Sequence, residues 1–349
     1  MKSHPGVTVV IPHSNGKDLL RRCLLALGKT QYPVIEVLVV DNGSTDRSVS
    51  MVRSEFPGVR IVRSRKNLGF AAGCNLGIRA SGTPFIALLN NDAEVTPGWL
   101  NPLIQCALEN KQAAALQPKI LSLKEPGRFD YCGAAGGEID IFGYPFARGR
   151  LFETLEKDTG QYDKTGRVFW ASGAACLLRR SALERVGLLD ERFFAHMEEI
   201  DLNWRLHWAG YSVWTVPKAV VFHQTGGTLG QGSIRKMALN HRNNILMLLK
   251  NVPGITLSWI LPLRILLEMI TAAGSLFTGR FNRTAAVLWG MSGVPGKLPA
   301  ALSERRRIKN SACVPENEIM RQMFRGSAAL AYYVRGIRTA ECLMGIRRT

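Results

Sequence analysis

The side chains best able to do chemistry fall in three places. Asp92 follows the apolar run 85–89, with Asn90 two residues before it and Glu94 two residues after. These are hard oxygen donors of the kind that hold Mg²⁺ or Mn²⁺. Glu198 and Glu199 are adjacent at the start of a helical pattern formed by Ile200, Leu202, Trp204 and Leu206, with Asp201 and Arg205 at i,i+4. That pattern predicts one buried helix face. Neighbouring helical residues point about 100° apart, so the two carboxylates take different roles. One faces a cleft as a general base and the other is structural or bonds acceptor hydroxyls. A helix N-terminus also favours carboxylates through its dipole alone, and spacing leaves both readings standing. His223 ends the apolar run 219–222, ahead of a glycine-rich loop over 225–233. It suits a metal ligand or a diphosphate contact. The loop is placed to close over substrate, with Arg235, Lys236 or Arg242 offering positive charge to a leaving group.

These groups need a scaffold, and the apolar pattern supplies one. Short continuous apolar runs predict strands over 7–11, 35–40, 59–62 and 85–89, with helical patterns over 17–27 and 70–79 between them. Such runs, covered on both faces by helices, argue an α/β fold with a mostly parallel central sheet. Ligands bind beyond the carboxyl ends of such strands. Polar residues collect there, over 12–15, 41–46 and 90–94, which points to a nucleotide or phosphate site. No G-x-G-x-x-G follows the first strand and no G-x-x-x-x-G-K-[ST] is present, which disfavours dinucleotide and NTPase-type phosphate loops. A divalent cation at Asp92 is the usual substitute for neutralising a diphosphate. A further apolar run, 169–178, contains small residues over 171–175. These let a backbone approach a ligand closely, or pack as a tight central strand.

Composition bounds the rest. The 349 residues are 46% hydrophobic and 21% charged, with a net charge of +18, as expected of a folded chain. Seven cysteines are scattered without a C-x-x-C pair, suggesting neither a disulfide framework nor a zinc site. The apolar run 7–12 is too short for a signal segment, so a reduced, cytoplasmic setting is expected. Residues 250–349 hold fifteen Lys/Arg and five Glu, a net +10. They also hold two charge-free apolar runs, 251–263 and 269–279, separated by Arg264 and Glu268. Each is shorter than the 18 or so residues of a spanning helix. The expectation is one or two amphipathic or re-entrant helices at an anionic membrane surface, backed by the basic cluster 305–309 at about 1 kcal/mol per exposed cation. The alternative is a helical extension packed on its own domain with a solvated basic face. Neither zinc spacing nor a helix-turn-helix signature supports a nucleic-acid partner.

Five ordered motifs carry a family resemblance over about residues 7–250. The segments 9–15, 40–46, 67–75 and 89–92 resemble the nucleotide-binding half of glycosyltransferase family 2, and 193–205 with Gly210 and Tyr211 resembles the acceptor half of its rhamnosyltransferase-like branch. The resemblance implies a GT-A fold, Rossmann-like, with a helical C-terminal extension. Residues 1–250 would form the transferase domain, nucleotide-binding over about 1–118 and acceptor-binding over 119–250. Residues 251–349 would be a basic, membrane-associating extension. It implies inverting transfer of a sugar from a nucleotide diphosphate, leaning to dTDP-rhamnose over UDP-hexoses, onto a glycan or lipid-linked acceptor at the inner face of the cell membrane. Carried over residue by residue, Asp41 reads the pyrimidine base beside Asn42, and Pro12 and Asn15 line the nucleotide pocket. Asn67, Gly69 and Asn75 form its nucleotide or sugar wall. The D-x-D metal motif reads Asn90, Asn91, Asp92, so Asp92 holds the cation with His223 nearby. The Glu-Asp base motif reads Glu198, Glu199, which puts Glu199 in the place of the usual aspartate as the base. These two departures also admit a non-catalytic sugar-nucleotide-binding protein.

Overall fold

The computed structural model describes residues 4–224 and 233–346. Its first half alternates β1 (Val7–His13), α1 (Lys17–Leu27), β2 (Ile35–Asn42), α2 (Ser48–Glu55), β3 (Arg60–Ser64), α3 (Phe70–Ala80) and β4 (Phe85–Leu89). Then come β5 (Ala93–Val95), α4 (Leu100–Glu109) and β6 (Ala113–Ser122). Four short strands, β7 (Gly137–Ile139), β8 (Pro145–Ala147), β9 (Arg150–Leu151) and β10 (Thr154–Leu155), form a separate small sheet. The main sheet is completed by β11 (Gly166–Val168), β12 (Ala175–Arg179) and β13 (Ser212–His223), with α5 (Arg180–Val186) and α6 (Glu198–Trp208) between the last two.

The main sheet runs β11-β13-β6-β12-β4-β1-β2-β3, with β5 added on β13. Strands β4, β1, β2 and β3 are parallel, as are β6 and β13, but β12 enters antiparallel between β4 and β6. The expected mostly parallel α/β sheet is therefore present with one reversed central strand. Alternate residues of β1 explain the continuous apolar run. Val7, Val9 and Ile11 pack with Leu20, Leu24 and Trp99 on one face, while Val10 packs with Leu38, Val40 and Ile78 on the other. Both faces are covered, so the run is apolar at nearly every position; buried Thr8 is the exception, its hydroxyl bonded to Glu36 and Thr83.

Two expectations change. Only Ala175–Arg179 of the run 169–178 is a strand; Trp170 instead pairs by an isolated bridge with Gly137, and 171–174 form a loop. Helix α6 has no exposed face. Every residue from Glu198 to Trp208 is buried except Glu199. Two of the polar ones are held by interior partners: Asp201 meets Arg205 at 3.0 Å and Lys250 at 2.8 Å, and His207 Nε2 lies 2.8 Å from Phe169 O.

The remaining helices are α7 (Ile234–Asn251), α8 (Gly254–Phe277), α9 (Phe281–Ser292), α10 (Leu298–Ser311), α11 (Glu316–Gln322), α12 (Ala328–Tyr333) and α13 (Ala340–Ile346). The two apolar runs are one unbroken helix, α8, across Pro262. Among the described residues it is the one helix long and apolar enough to cross a membrane. Its charged pair is turned inward: Arg264 and Glu268 are buried 2.5 Å apart, with His241 of α7 2.7 Å from Glu268. Its apolar residues are turned out, with Ile255, Trp259, Leu266, Ile270 and Phe277 exposed. The basic cluster differs from expectation as well. Arg305 donates to the carbonyls of Leu249 and Val252 at the end of α7, and Arg307 pairs with Glu304. Free carbonyls at a helix C-terminus attract cations, so part of the cluster locks α10 to α7. Beyond it, α12 and α13 return over the small sheet, where Phe324, Ala328, Tyr332 and Leu343 pack with Phe146 and Leu151.

Candidate active site

The ends of β1, β2 and β4 carry a network of short amides. Asn91 Nδ2 lies 2.8 Å from His13 Nδ1 and 3.3 Å from Asn15 O. Burial lowers the pKa of His13 despite Asp46 and Asp41 nearby, which keeps it neutral. Exposed Asn15, at φ 62°, accepts from Thr45 N at 2.8 Å through Oδ1, so the loops after β1 and β2 are tied together beside Pro12. Asp41 is fully buried; it accepts from Ser44 N at 2.9 Å and from Arg63 Nε at 3.0 Å. Burial raises its pKa, but the Ser44 bonds and Arg63 outweigh that and hold it low. Asn42 donates to Asn67 Oδ1 and to Gly69 O, and accepts from Leu68 N. At Gly69, φ is 90° and a Cβ would lie 2.5 Å from Phe194 O. Only glycine permits this contact, where the nucleotide half meets the loop leading into α6.

Asn75 is a correction. Its buried amide donates to Leu189 O and to Oε1 of exposed Glu191, and accepts from Leu189 N. With its donors and acceptor taken up, it braces the 189–191 turn and does not line a sugar wall. Glu94 is likewise drawn to Arg22, 3.7 Å away on the outer side.

Asp92 and His223 come together although 131 positions separate them in the chain. Antiparallel β5 and β13 pair His223 with Ala93, which brings His223 Nε2 to 3.0 Å from Asp92 Oδ1. Nδ1 of the same ring lies 2.9 Å from Asp130 Oδ1, and Asn90 Nδ2 lies 3.1 Å from Nε2. Burial disfavours the imidazolium, yet Asp130 and Asp92 together push its pKa well above the ordinary value. Asp130, Cys132 and His223 present ligand atoms all within 4.8 Å of one another. This set could hold a divalent cation only with the imidazole deprotonated at Nε2, the proton that Asp92 favours being displaced by the metal while Asp130 orients the ring from Nδ1. Asp130 lies in the irregular stretch after β6, and no spacing relates it to a histidine 93 residues later. Sequence reasoning had no route to it.

The carboxylates of α6 stand across the 171–174 loop from this cluster. Ala174 O accepts from Asn90 N at 2.9 Å, and a Cβ at Gly173 would lie 3.0 Å from the Phe70 ring and 3.9 Å from Glu199 Cβ. The loop thus spaces the end of β4 from Glu199. Both Glu198 Oε2 and Glu199 Oε2 are enclosed without a hydrogen-bond partner. Burial raises both pKa values; Glu199 and Asp201 add to the effect on Glu198, while Arg150 on β9 works against it for Glu199. The approach to α6 is strained, since Phe194, His196 and Met197 all have positive φ, at 65°, 69° and 72°. Such conformations cost about 1–3 kcal/mol each and cluster at functional sites. Asn243 holds this turn by donating to the carbonyls of Phe193, Ala195 and His196. The glycine-rich 225–232 loop lies outside the described residues.

Polar strand ends on a mostly parallel sheet, beside a carboxylate–imidazole cluster and an enclosed carboxylate across one loop, are the arrangement a GT-A-type transferase requires. Residues 8–187 match the Glycosyl transferase family 2 profile, and the chain belongs to that family. It is 31% identical over 274 residues to the N-acetylglucosaminyl-diphospho-decaprenol L-rhamnosyltransferase of Mycobacterium tuberculosis, covering 73% of this chain and 87% of that one. The pre-mycofactocin glycosyltransferase of the same organism is 29% identical, over 74% of this chain and 53% of its own length. Two solved structures share the fold. The mannosyltransferase PcManGT of Pyrobaculum calidifontis, in complex with GDP-Man and Mn²⁺, is 18% identical with a TM-score of 0.53 over 96% of this chain and 82% of that chain. S. aureus TarS 1–349 in complex with UDP is 14% identical with a TM-score of 0.54 over 95% and 92%. The chain is a glycosyltransferase of family 2, in the rhamnosyltransferase-like branch.

Proposed function

We propose that this enzyme performs inverting, metal-assisted transfer of rhamnose or another hexose from a dTDP- or UDP-linked donor. The acceptor is a lipid-linked glycan of the cell envelope, met at the cytoplasmic face of the membrane. One observation carries the catalytic assignment. In a helix otherwise buried along its whole length, Glu199 alone is only half-buried, and it stands across one loop from the Asp92–His223 cluster. Its raised pKa suits a general base, because a base with a pKa nearer the working pH drives proton transfer more strongly. Glu199 takes the proton of the acceptor hydroxyl as that oxygen attacks the anomeric carbon. Glu198, buried and with an enclosed oxygen lacking a partner, has its own pKa raised by burial and by the charge of Glu199, and is the structural or acceptor-bonding member of the pair. Asp92 and His223 would hold a divalent cation, which when bound would supply charge stabilisation to the departing diphosphate. Asp41, Asn42, Asn67 and Gly69 shape the nucleotide pocket with Pro12, Asn15 and Asn91. Residues 1–250 form the transfer domain, and the apolar face of α8 and α9, flanked by Arg280 and Arg283, rests on the membrane.

The test presents dTDP-rhamnose and a panel of UDP-hexoses with Mn²⁺ or Mg²⁺ and an N-acetylglucosaminyl-diphosphoprenol acceptor. Release of nucleotide diphosphate and a product of inverted anomeric configuration by NMR are expected. Tight donor binding with no turnover for any acceptor supports the non-catalytic alternative instead. For the membrane contact, Leu266→Asp with Ile270→Asp is expected to abolish flotation with anionic vesicles, and unchanged flotation refutes that contact.

A further inference from the structure

A second polar site lies apart from the Asp92–His223 cluster. Between α7, α9 and the turn 295–297 is a cavity of about 430 Å³, lined by four cations, Arg192, Arg235, Arg242 and Lys297, and by Trp289. This is within the size range of small-molecule sites, roughly 300–1,000 Å³. Its charge is unbalanced. Glu191 also lines it, but that carboxylate meets Arg79 at 3.1 Å and Asn75 at 2.9 Å. Arg192 is paired with Asp190 and Glu304. Among the described residues no carboxylate lies within ion-pair distance of Arg235, Arg242 or Lys297. Burial lowers the pKa of Arg242, and burial with the repulsion of Arg242 and Arg192 lowers that of Lys297 against the attraction of Asp190, whose carboxylate is engaged by Arg192 and Lys250. Like charges held together without a counter-ion are stabilised by a bound anion, and paired guanidinium groups match phosphate oxygens in geometry.

The surroundings narrow the anion further. Trp289 lines the cavity and is 55% exposed, next to exposed Leu288 on the same helix as exposed Phe281. The cavity therefore borders the apolar face assigned to the membrane. Its other wall is Phe194, with Arg235 stacked over that ring at 4.7 Å, and Arg242 donates to the carbonyls of Arg192 and Phe193. That wall is the strained turn leading to Glu198 and Glu199. At Gly290 a Cβ would lie 2.6 Å from Ala238 O, so the small residue lets α9 close the floor against α7.

We infer that this cavity binds the diphosphate of the lipid-linked acceptor, holding its headgroup between the membrane face and the base. The inference rests on the transferase reading above, but its test is a direct binding measurement that needs no turnover. The full chain is titrated with farnesyl diphosphate and separately with inorganic pyrophosphate, in EDTA so that no cation bridges either ligand to Asp92 and His223. Farnesyl diphosphate is expected to bind, Arg235→Gln with Lys297→Gln to weaken it at least tenfold, and the charge-preserving Arg235→Lys with Lys297→Arg to restore it to within about threefold. Unchanged affinity in the Gln variant overturns the inference, as does pyrophosphate binding as tightly as the prenyl compound, which marks a site for free anions. A fall in UDP–Mn²⁺ affinity with prenyl diphosphate binding intact also overturns it, by giving these cations to the donor. Should the Gln variant not fold, Trp289→Ala read against the same two ligands decides. Loss of the prenyl preference supports the site, and its retention refutes it.

Discussion

Two helices bury acidic side chains, and they do so to opposite ends. At the start of α6, Glu198 and Glu199 each have an enclosed oxygen with no partner and raised pKa values. In α8, Glu268 is equally enclosed but lies between Arg264 and His241, which overcome the effect of burial and hold its pKa low. The first arrangement keeps a carboxylate ready to accept a proton; the second fixes one helix against another. Glu198 and Glu268 match in residue type and burial, and the counter-ion decides between chemistry and structure.

The largest expected effect attacks the first member of this pair. Glu199→Gln is expected to lower kcat by about 10²–10⁴ with nucleotide affinity retained, measured by nucleotide diphosphate release. Glu199→Asp, one methylene shorter, loses on the order of 10²-fold or less. In the parent, activity should rise with pH through a pKa above the ordinary carboxylate range, because only the ionised base works. Turnover unchanged in the Gln variant ends the assignment.

Attacking the second member should cost stability and not chemistry. Arg264→Ala leaves Glu268 short of a partner in the interior, at about 3–5 kcal/mol, whereas replacing both by Met and Leu is expected to be near neutral. Denaturant titration of the two variants makes the measurement, and equal losses in both break the comparison. A smaller effect belongs to Asp130→Asn, which should weaken Mn²⁺ binding about 10–100-fold by releasing the His223 ring. Calorimetric titration reads this directly.

The smallest effect sharpens the contrast through pH. The folded-state pKa of Glu198 is raised, so its favourable share of stability is present below the unfolded pKa and is lost as pH rises through the folded one. Glu198→Gln should therefore match the parent near pH 4 and exceed it near pH 7.5, by roughly 1–3 kcal/mol. Melting curves at the two pH values decide. Identical differences at both mean that the carboxylate is already paired.

The nucleotide half was largely legible in the chain. Its apolar runs lie at the observed strands because a sheet covered on both faces needs apolar side chains on both, and the polar strand ends follow from where such sheets bind ligands. Asp41, Asn42 and Asp92 could be named from their place at strand ends, Asn67 and Gly69 only from the resemblance of their motif. Asn75 could not be judged so, because its partners Leu189 and Glu191 lie more than a hundred positions away. A separation of 93 positions likewise hid Asp130, and the strand reversal at β12 left no mark in periodicity, since a central strand reads alike in either direction.

The tail shows the limit most plainly. Its composition gave a net +10 and two short apolar runs, both consistent with an interfacial helix or with a packed extension. Which residues turn outward is a question of what α7 offers. His241 and Asn244 present polar groups that draw Arg264 and Glu268 inward, and the apolar side of α8 is left exposed as a consequence. Likewise Arg305 reads as surface charge until the end of α7 supplies carbonyls for it. Sequence alone determined the sheet, the strand-end chemistry and the pair of acids at α6. Only tertiary structure decided which charges are neutralised, because a counter-ion is brought by the fold from anywhere in the chain.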